Sequence, residues 1–333
     1  MTNINIPVSV LNLAPIREGE GPKEAIDAVV ELAQATEKMG YKRYWIAEHH
    51  NTSTLVSSAT AILIKHTLEH TNQILVGSGG IMLPNHSPLV VAEQFGTMET
   101  IYPNRVELGL GRAPGTDMLT ASALRRSKND SVYTFPNDVK ALLTYFGREE
   151  DQTHVKAYPG LGTGVPIYIL GSSTDSAYLA ASLGLPYVFA SHFAPRYMEE
   201  AIKIYRDRFQ PSEHLQKPYM IVCLNVIAAE SDKEADFLST TMQQFFLNVV
   251  KSSQMKLQPP VETLDDVATP MDRQVAASMT SVTLMGDKDS IQQQLTIFQE
   301  RYNVDEIMAV SYIYDREKQK RSYEILKEVV DGN

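Results

Sequence analysis

One two-part phrase repeats along the sequence: a short apolar run without polar alternation, a few turn residues, then a stretch with apolar positions at helical spacing. "IPVSVLNLAP" reads as the first such strand. "GPKEAIDAVVELAQATEKMG" follows it, with Ala25, Ile26, Val29, Leu32, Ala33 and Met39 at helical spacing before a glycine stop. The order recurs as strand 43–47 with helix 54–69, strand 73–79 with helix 88–101, and strand 105–109. After an irregular stretch it resumes as strand 167–170 with helix 174–184, strand 187–190 with helix 196–209, strand 219–227 with helix 232–250, and strand 306–312 with a closing helix. Strands that do not alternate are buried on both faces, as in parallel sheets covered by helices. Eight of them in 333 residues predict an α/β fold, a (β/α)8 TIM barrel, as one domain over residues 1–333. A doubly wound open sheet is the competing architecture. "NLAPIREGEGP" stands after the first strand, however, where that fold would carry its glycine-rich turn.

Two stretches break the rhythm, 112–165 and about 251–285. They are insertions after strands 4 and 7, and they are expected to lie over the C-terminal mouth of the barrel, where long loops shape or cover a site. A net charge of −10 argues against a nucleic-acid or lipid-binding face, both of which need clustered Lys and Arg. Only "DREKQKRSYEILK" gathers positive charge, and its acids mark it as a solvated helix face. The N-terminus lacks a basic segment followed by a long apolar core, and no later run approaches a membrane span, so a cytoplasmic protein is expected. The single cysteine, Cys223, lies in the apolar strand "YMIVCLNVIAA" and reads as a core residue.

Barrels of this kind build their sites at the C-terminal ends of the strands. The second strand ends in Glu48, His49 and His50. Successive side chains point to opposite faces, so at most one of the two histidines aims into the mouth and the other is structural. The third strand ends in "GSGGIMLP", where Gly79 and Gly80 remove two side chains. That gap suits a flat ligand, and a bulge or tight bend explains it nearly as well. The fourth ends at Gly111 and Arg112, and the fifth at Gly171, Ser172 and Ser173 before a helix. The Ser-Thr-Asp cluster alone reads as a helix cap. With an arginine on the adjoining strand, the same helix start predicts a phosphate site. "HTLEH" has H-x-x-E-H zinc spacing through His66, Glu69 and His70. It ends an outer helix away from the mouth without an evident third ligand, so a solvated face and no metal is the expectation.

"YWIAEHHN", "VGSGGIMLPNHSPLVVAEQF", "NRVELGLGRAPG", "PIYILGSS" and "MGDKDSI" stand in the order found in the bacterial luciferase-like flavin-dependent monooxygenases, which the chain resembles over essentially its whole length. The likeness is to the functionally unassigned bacterial branch rather than to luciferase subunits. The resemblance implies a barrel holding FMN at its mouth. It places Gly79 and Gly80 beside the isoalloxazine at a non-proline cis peptide, and Arg112, Ser172, Ser173 and Ser176 on the phosphate. It gives His49 the catalytic position, with Glu48 and His50 beside it, and sets His192 of "YVFASHF" against the ring. At Gly171 a luciferase subunit presents an acidic residue, so phosphate binding here leans on backbone donors. The implied reaction inserts one oxygen atom of O2 into a small organic substrate, with the cofactor carrying the hard chemistry. Reduced FMN would come from a separate NAD(P)H:flavin reductase, because the chain has no dinucleotide fingerprint, and the implied assembly is a homodimer paired through the second and third helices. A deazaflavin-dependent dehydrogenase of the same superfamily and a non-catalytic flavin-binding protein are the competing readings.

Overall fold

The computed structural model describes residues 4–113, 117–124, 131–152, 154–265 and 268–332. In chain order its elements are β1 (Val8–Asn12), α1 (Pro22–Lys38), β2 (Arg43–Ile46), α2 (Thr60–Glu69), β3 (Leu75–Met82), α3 (Pro88–Ile101), β4 (Val106–Gly111), α4 (Met118–Leu124), α5 (Ser131–Phe146) and β5 (Ile167–Gly171). They continue as α6 (Thr174–Leu183), β6 (Tyr187–Phe189), α7 (Met198–Arg208), β7 (Met220–Ala228), α8 (Asp232–Val250), α9 (Pro270–Met279), β8 (Thr283–Gly286), α10 (Lys288–Tyr302), β9 (Glu306–Val310) and α11 (Arg316–Asp331). The strands pair in the order β6-β5-β4-β3-β2-β1-β9-β7, and a β6–β7 pairing closes the ring. Every ladder is parallel. The fold is therefore a closed (β/α)8 TIM barrel, with β8 paired alongside the upper half of β7, outside the ring.

Burial on both faces shows in two apolar clusters. Tyr44 and Ile46 of β2 pack outward with Val76, Phe95 and Leu108 beneath the helices. Trp45 and Ala47 pack inward with Leu11, Tyr168, Ile221, Cys223 and Met308. Side chains of this size contribute about 1.5–3 kcal/mol each when fully buried. Burial also pushes the Cys223 thiol up, consistent with an inert core residue. The lower barrel is plugged by charge as well as by hydrocarbon. Arg43 pairs with Glu107 at 2.8 Å and with Glu306 at 2.9 Å. The Trp45 Nε1–H and the Tyr168 hydroxyl donate to Glu107, and the Tyr219 hydroxyl to Glu306. Burial alone would weaken the arginine's charge, but the two carboxylates outweigh it and hold it protonated.

Three expectations are corrected. Residues 112–165 are not irregular throughout, since they contain α4 and the long α5, which carries Pro136 within it. The segment after β7 carries α9 and the short β8 and leads into α10, so the barrel's eighth strand is the ninth in the chain. Gly79 and Gly80 lie inside β3 rather than at its end, because pairing with β4 resumes at Ile81 after a register shift from Ser78. No described helix is long and apolar enough to cross a membrane.

Candidate active site

Alternation along β2, with Trp45 and Ala47 facing inward, carries His49 toward the barrel axis and Glu48 and His50 to the other side. The His49 Nδ1 is buried and has no hydrogen-bond partner among the described residues. Burial lowers the His49 pKa to about 4, although the Glu48 charge works against this and His50 adds to it. His192 follows β6 and is 5% exposed, again with an unpartnered Nδ1. Burial, and then His49, lower its pKa to about 3. Near neutral pH the mouth thus presents two uncharged imidazoles. Neither His49 nor His192 therefore titrates near 6.5, the ordinary value for histidine. Asn225 of β7 holds the backbone that carries the second one, donating from Nδ2 to the His192 carbonyl at 2.7 Å.

Glu48 is 1% exposed, and its Oε1 lies 2.8 Å from the Nε2 of both His50 and His86. Burial pushes the carboxyl up, but the bonds and charge from His50 and His86 outweigh it and hold it below the usual range. Of the two histidines, His50 is thus the one tied to a carboxylate. The Gly79–Gly80 peptide is cis, in line with the family resemblance. A Cβ at Gly79 would collide with Leu11 Cδ1, and one at Gly80 would come within 2.6 Å of the Gly109 carbonyl oxygen. Close packing against the β4 backbone thus requires glycine at 80, and a side chain at 79 would have to displace Leu11.

At the next two strand ends, pairing of Gly111 with Leu170 brings Arg112 beside the start of α6, where its guanidinium lies 3.2 Å from Asp175 Oδ2. Ser173 holds the N-cap position with extended backbone, but its side chain makes no capping bond. The cluster thus starts the helix, as the cap reading expects, but without a side-chain capping bond. The first-turn N–H groups and an exposed guanidinium instead share one corner, an arrangement suited to an anion. Ser172 lies in the same turn. Ser176 is turned inward, donating to the Ser173 carbonyl at 2.8 Å and standing 2.9 Å from the Tyr187 hydroxyl. Gly171 has no side chain because Ser176 fills that space.

The second histidine cluster lies on the far end of α2. Lys65 takes Glu69 at 2.6 Å, His70 Nδ1 meets the His66 carbonyl at 2.8 Å, and the three side chains lie within coordinating reach of one another. Glu69 and His70 are exposed there. His86 and Asn225 escaped the sequence reading. His86 stands in "MLPNHSP", 38 residues from its carboxylate partner. It could have been found by asking what the loop after strand 3 places beside the end of strand 2.

The luciferase-like monooxygenase family model matches residues 6–309. A luciferase-like monooxygenase of Escherichia coli K12 is 45% identical over 329 residues, covering 99% of this chain and 98% of that protein. Among solved structures, apo-MsnO8 superposes with a TM-score of 0.86 at 31% identity, over 97% of this chain and 98% of that one. Two others share the fold at lower identity. The oxygenating constituent of 3,6-diketocamphane monooxygenase from Pseudomonas putida, in complex with FMN, has a TM-score of 0.74 at 16% identity, each chain covered to 99%. An F420-dependent secondary alcohol dehydrogenase has 0.70 at 14%, with 98% and 99% covered. With the five motifs in order on the strand ends and matches of this extent, the chain belongs to the luciferase-like monooxygenase family.

Proposed function

We propose that the chain is the oxygenating component of a two-component FMN-dependent monooxygenase acting on a small organic substrate. The observation that carries this reading is the corner formed by Arg112 and the uncapped start of α6, set on the same rim as two neutral imidazoles. FMN fits that donor set. Its phosphate would take the guanidinium and the first-turn N–H groups at Ser172 and Ser173, leaving its ring toward Gly79, Gly80 and His192. Asp175 would have to yield Arg112 to the phosphate, and the present pair is exposed and weak. When bound and reduced, the cofactor supplies activation of O2. His49 accepts and returns a proton at Nε2, because its Nδ1 is buried. His192 and the Leu11 side chain, which stands against Gly79, limit water at the reacting face.

Reduced FMN would arrive from a separate NAD(P)H:flavin reductase. A homodimer through α2 and α3 is part of the proposal, supported by Ile62, Val90 and Ile101, which stand exposed on those helices. The test is titration of the chain with FMN, reduced FMN and deazaflavin, followed by a substrate screen with reduced FMN and O2. Micromolar or tighter binding of reduced FMN, and a substrate that converts peroxide release into oxygenated product, are the expected results. Selective retention of a deazaflavin with hydride transfer and no oxygen uptake would replace this reading with that of a dehydrogenase.

A further inference from the structure

Glu48, His50 and His86 meet on the outer side of the rim, where the end of β2 and the β3–α3 connection come together. One carboxylate oxygen takes both Nε2 atoms at 2.8 Å, and the other accepts the Met82 N–H at 3.3 Å. His86 is a fixed anchor for this contact. It follows a buried turn of Leu83, Pro84 and Asn85, its own N–H reaches the Leu83 carbonyl at 3.0 Å, and Ser87 then opens α3. Glu48 immediately precedes His49 in the chain and His50 immediately follows it. Holding both therefore fixes the backbone on either side of the residue that faces the mouth.

We propose that His86 is a positioning residue of the active site, which acts through Glu48 and His50 to hold the 48–50 turn with His49 directed into the barrel mouth. A buried carboxylate with three donors, one from its own turn and two from the end of β3 and the connection after it, has one satisfied orientation, and losing a donor leaves charge underpaired. The surrounding turn would then relax toward solvent, since His50 and His86 are only partly buried. The proposal rests on His49 as the proton-transfer group, but the clamp can be read in the apo chain without any turnover.

The experiment compares imidazole proton–nitrogen NMR spectra of the apo full-length chain for wild type, His86→Leu and His86→Gln, with thermal melts of each. In wild type the Nε2–H signals of His50 and His86 are expected to be downfield and slow to exchange. His86→Leu should shift the His49 ring resonances and lower the rate of the oxygen reaction with reduced FMN by about tenfold, with KM for reduced FMN within about twofold. His86→Gln returns an N–H near the same place and should restore both. Unmoved His49 resonances in a folded His86→Leu chain would overturn the proposal. So would wild-type spectra without a protected His86 Nε2–H, an outcome readable even if the leucine variant does not fold. Stoichiometric metal in the purified chain, with these signals appearing only after chelation, would also overturn it, since the cluster would then be a cation site. If oxygenation fails altogether while the spectra behave as expected, the clamp stands and the assigned reaction falls.

Discussion

His49 and His50 are consecutive, yet strand alternation gives them opposite fates. One is a neutral ring at the mouth whose Nδ1 has no partner among the described residues, and the other is bonded to a carboxylate on the outer side. If His49 is the general base, His49→Ala should leave the melt and FMN binding nearly unchanged while slowing oxygenation on the order of a hundredfold. Single-turnover kinetics with reduced FMN and an accepted substrate check this, and wild-type turnover in the variant would end the assignment. Its lowered pKa adds a second check, because a base that is neutral down to about 4 puts the acid limb of the rate profile there rather than near 6.5. At the anion corner, charge-assisted bonds are worth roughly 1.5–3 kcal/mol, so Arg112→Ala should weaken FMN binding by about tenfold or more in a fluorescence titration. Unchanged affinity would show that the phosphate lies elsewhere. The sequence exposed His49 and Arg112 because both end a strand, where this fold builds sites. It concealed His86 and Asn225 because their partners are set by strand neighbourhood, and it could not show that the Ser176 hydroxyl bonds the Ser173 carbonyl, because a hydroxyl in a helix's first turn can face either outward or in.

Among the elements, long buried strands were legible and short peripheral ones were not. The eight barrel strands follow from continuous apolar runs, with boundaries shifted by a few residues. β8 has four residues and, among the described residues, pairs only with β7, so "TLMG" presents too little pattern to separate from a loop. α5 was hidden by Pro136, which ordinarily argues against a helix interior. The charged plug also left a mark in the sequence. Arg43, Glu107 and Glu306 interrupt otherwise apolar strands, and such residues are buried only when paired. The β5–α6 junction shows how tightly one turn is specified. A Cβ at Gly171 would overlap the Ser176 hydroxyl, whose bond to the Ser173 carbonyl holds the start of α6. Gly171→Ala should therefore destabilise the chain by about 1–3 kcal/mol and loosen FMN binding with it. Ser176→Gly in the same chain removes the overlap, so a double-mutant cycle by urea unfolding should give a coupling of at least about 1 kcal/mol. Additive effects would mean that the turn absorbs the methyl group by moving elsewhere.

For the whole molecule, holding neutral histidines in the mouth of a barrel makes its stability depend on pH. His49 and His192 titrate at about 4 and about 3 when folded, both lowered chiefly by burial, whereas an unfolded chain would protonate them near 6.5. Between those values the unfolded state binds more protons, so stability rises with pH there. The contribution is fully present above about 6.5 and is lost as pH falls toward the folded values. Glu48 acts in the same direction at lower pH, since its folded carboxyl sits below the ordinary range and its stabilisation fades as that carboxyl protonates. From pH 7 to pH 5 these two histidines contribute at most about 2 kcal/mol each. His192, with 5% of its surface exposed, should carry more of this than the partly exposed His49. Urea midpoints measured at pH 7, 6 and 5 should therefore fall steadily. In His192→Gln the fall should shrink to about half or less, while the Asn225 bond persists because it uses the backbone carbonyl. A flat profile above pH 5, or an undiminished slope in that variant, would show that these rings are solvated enough to titrate normally and that the mouth does not hold them neutral.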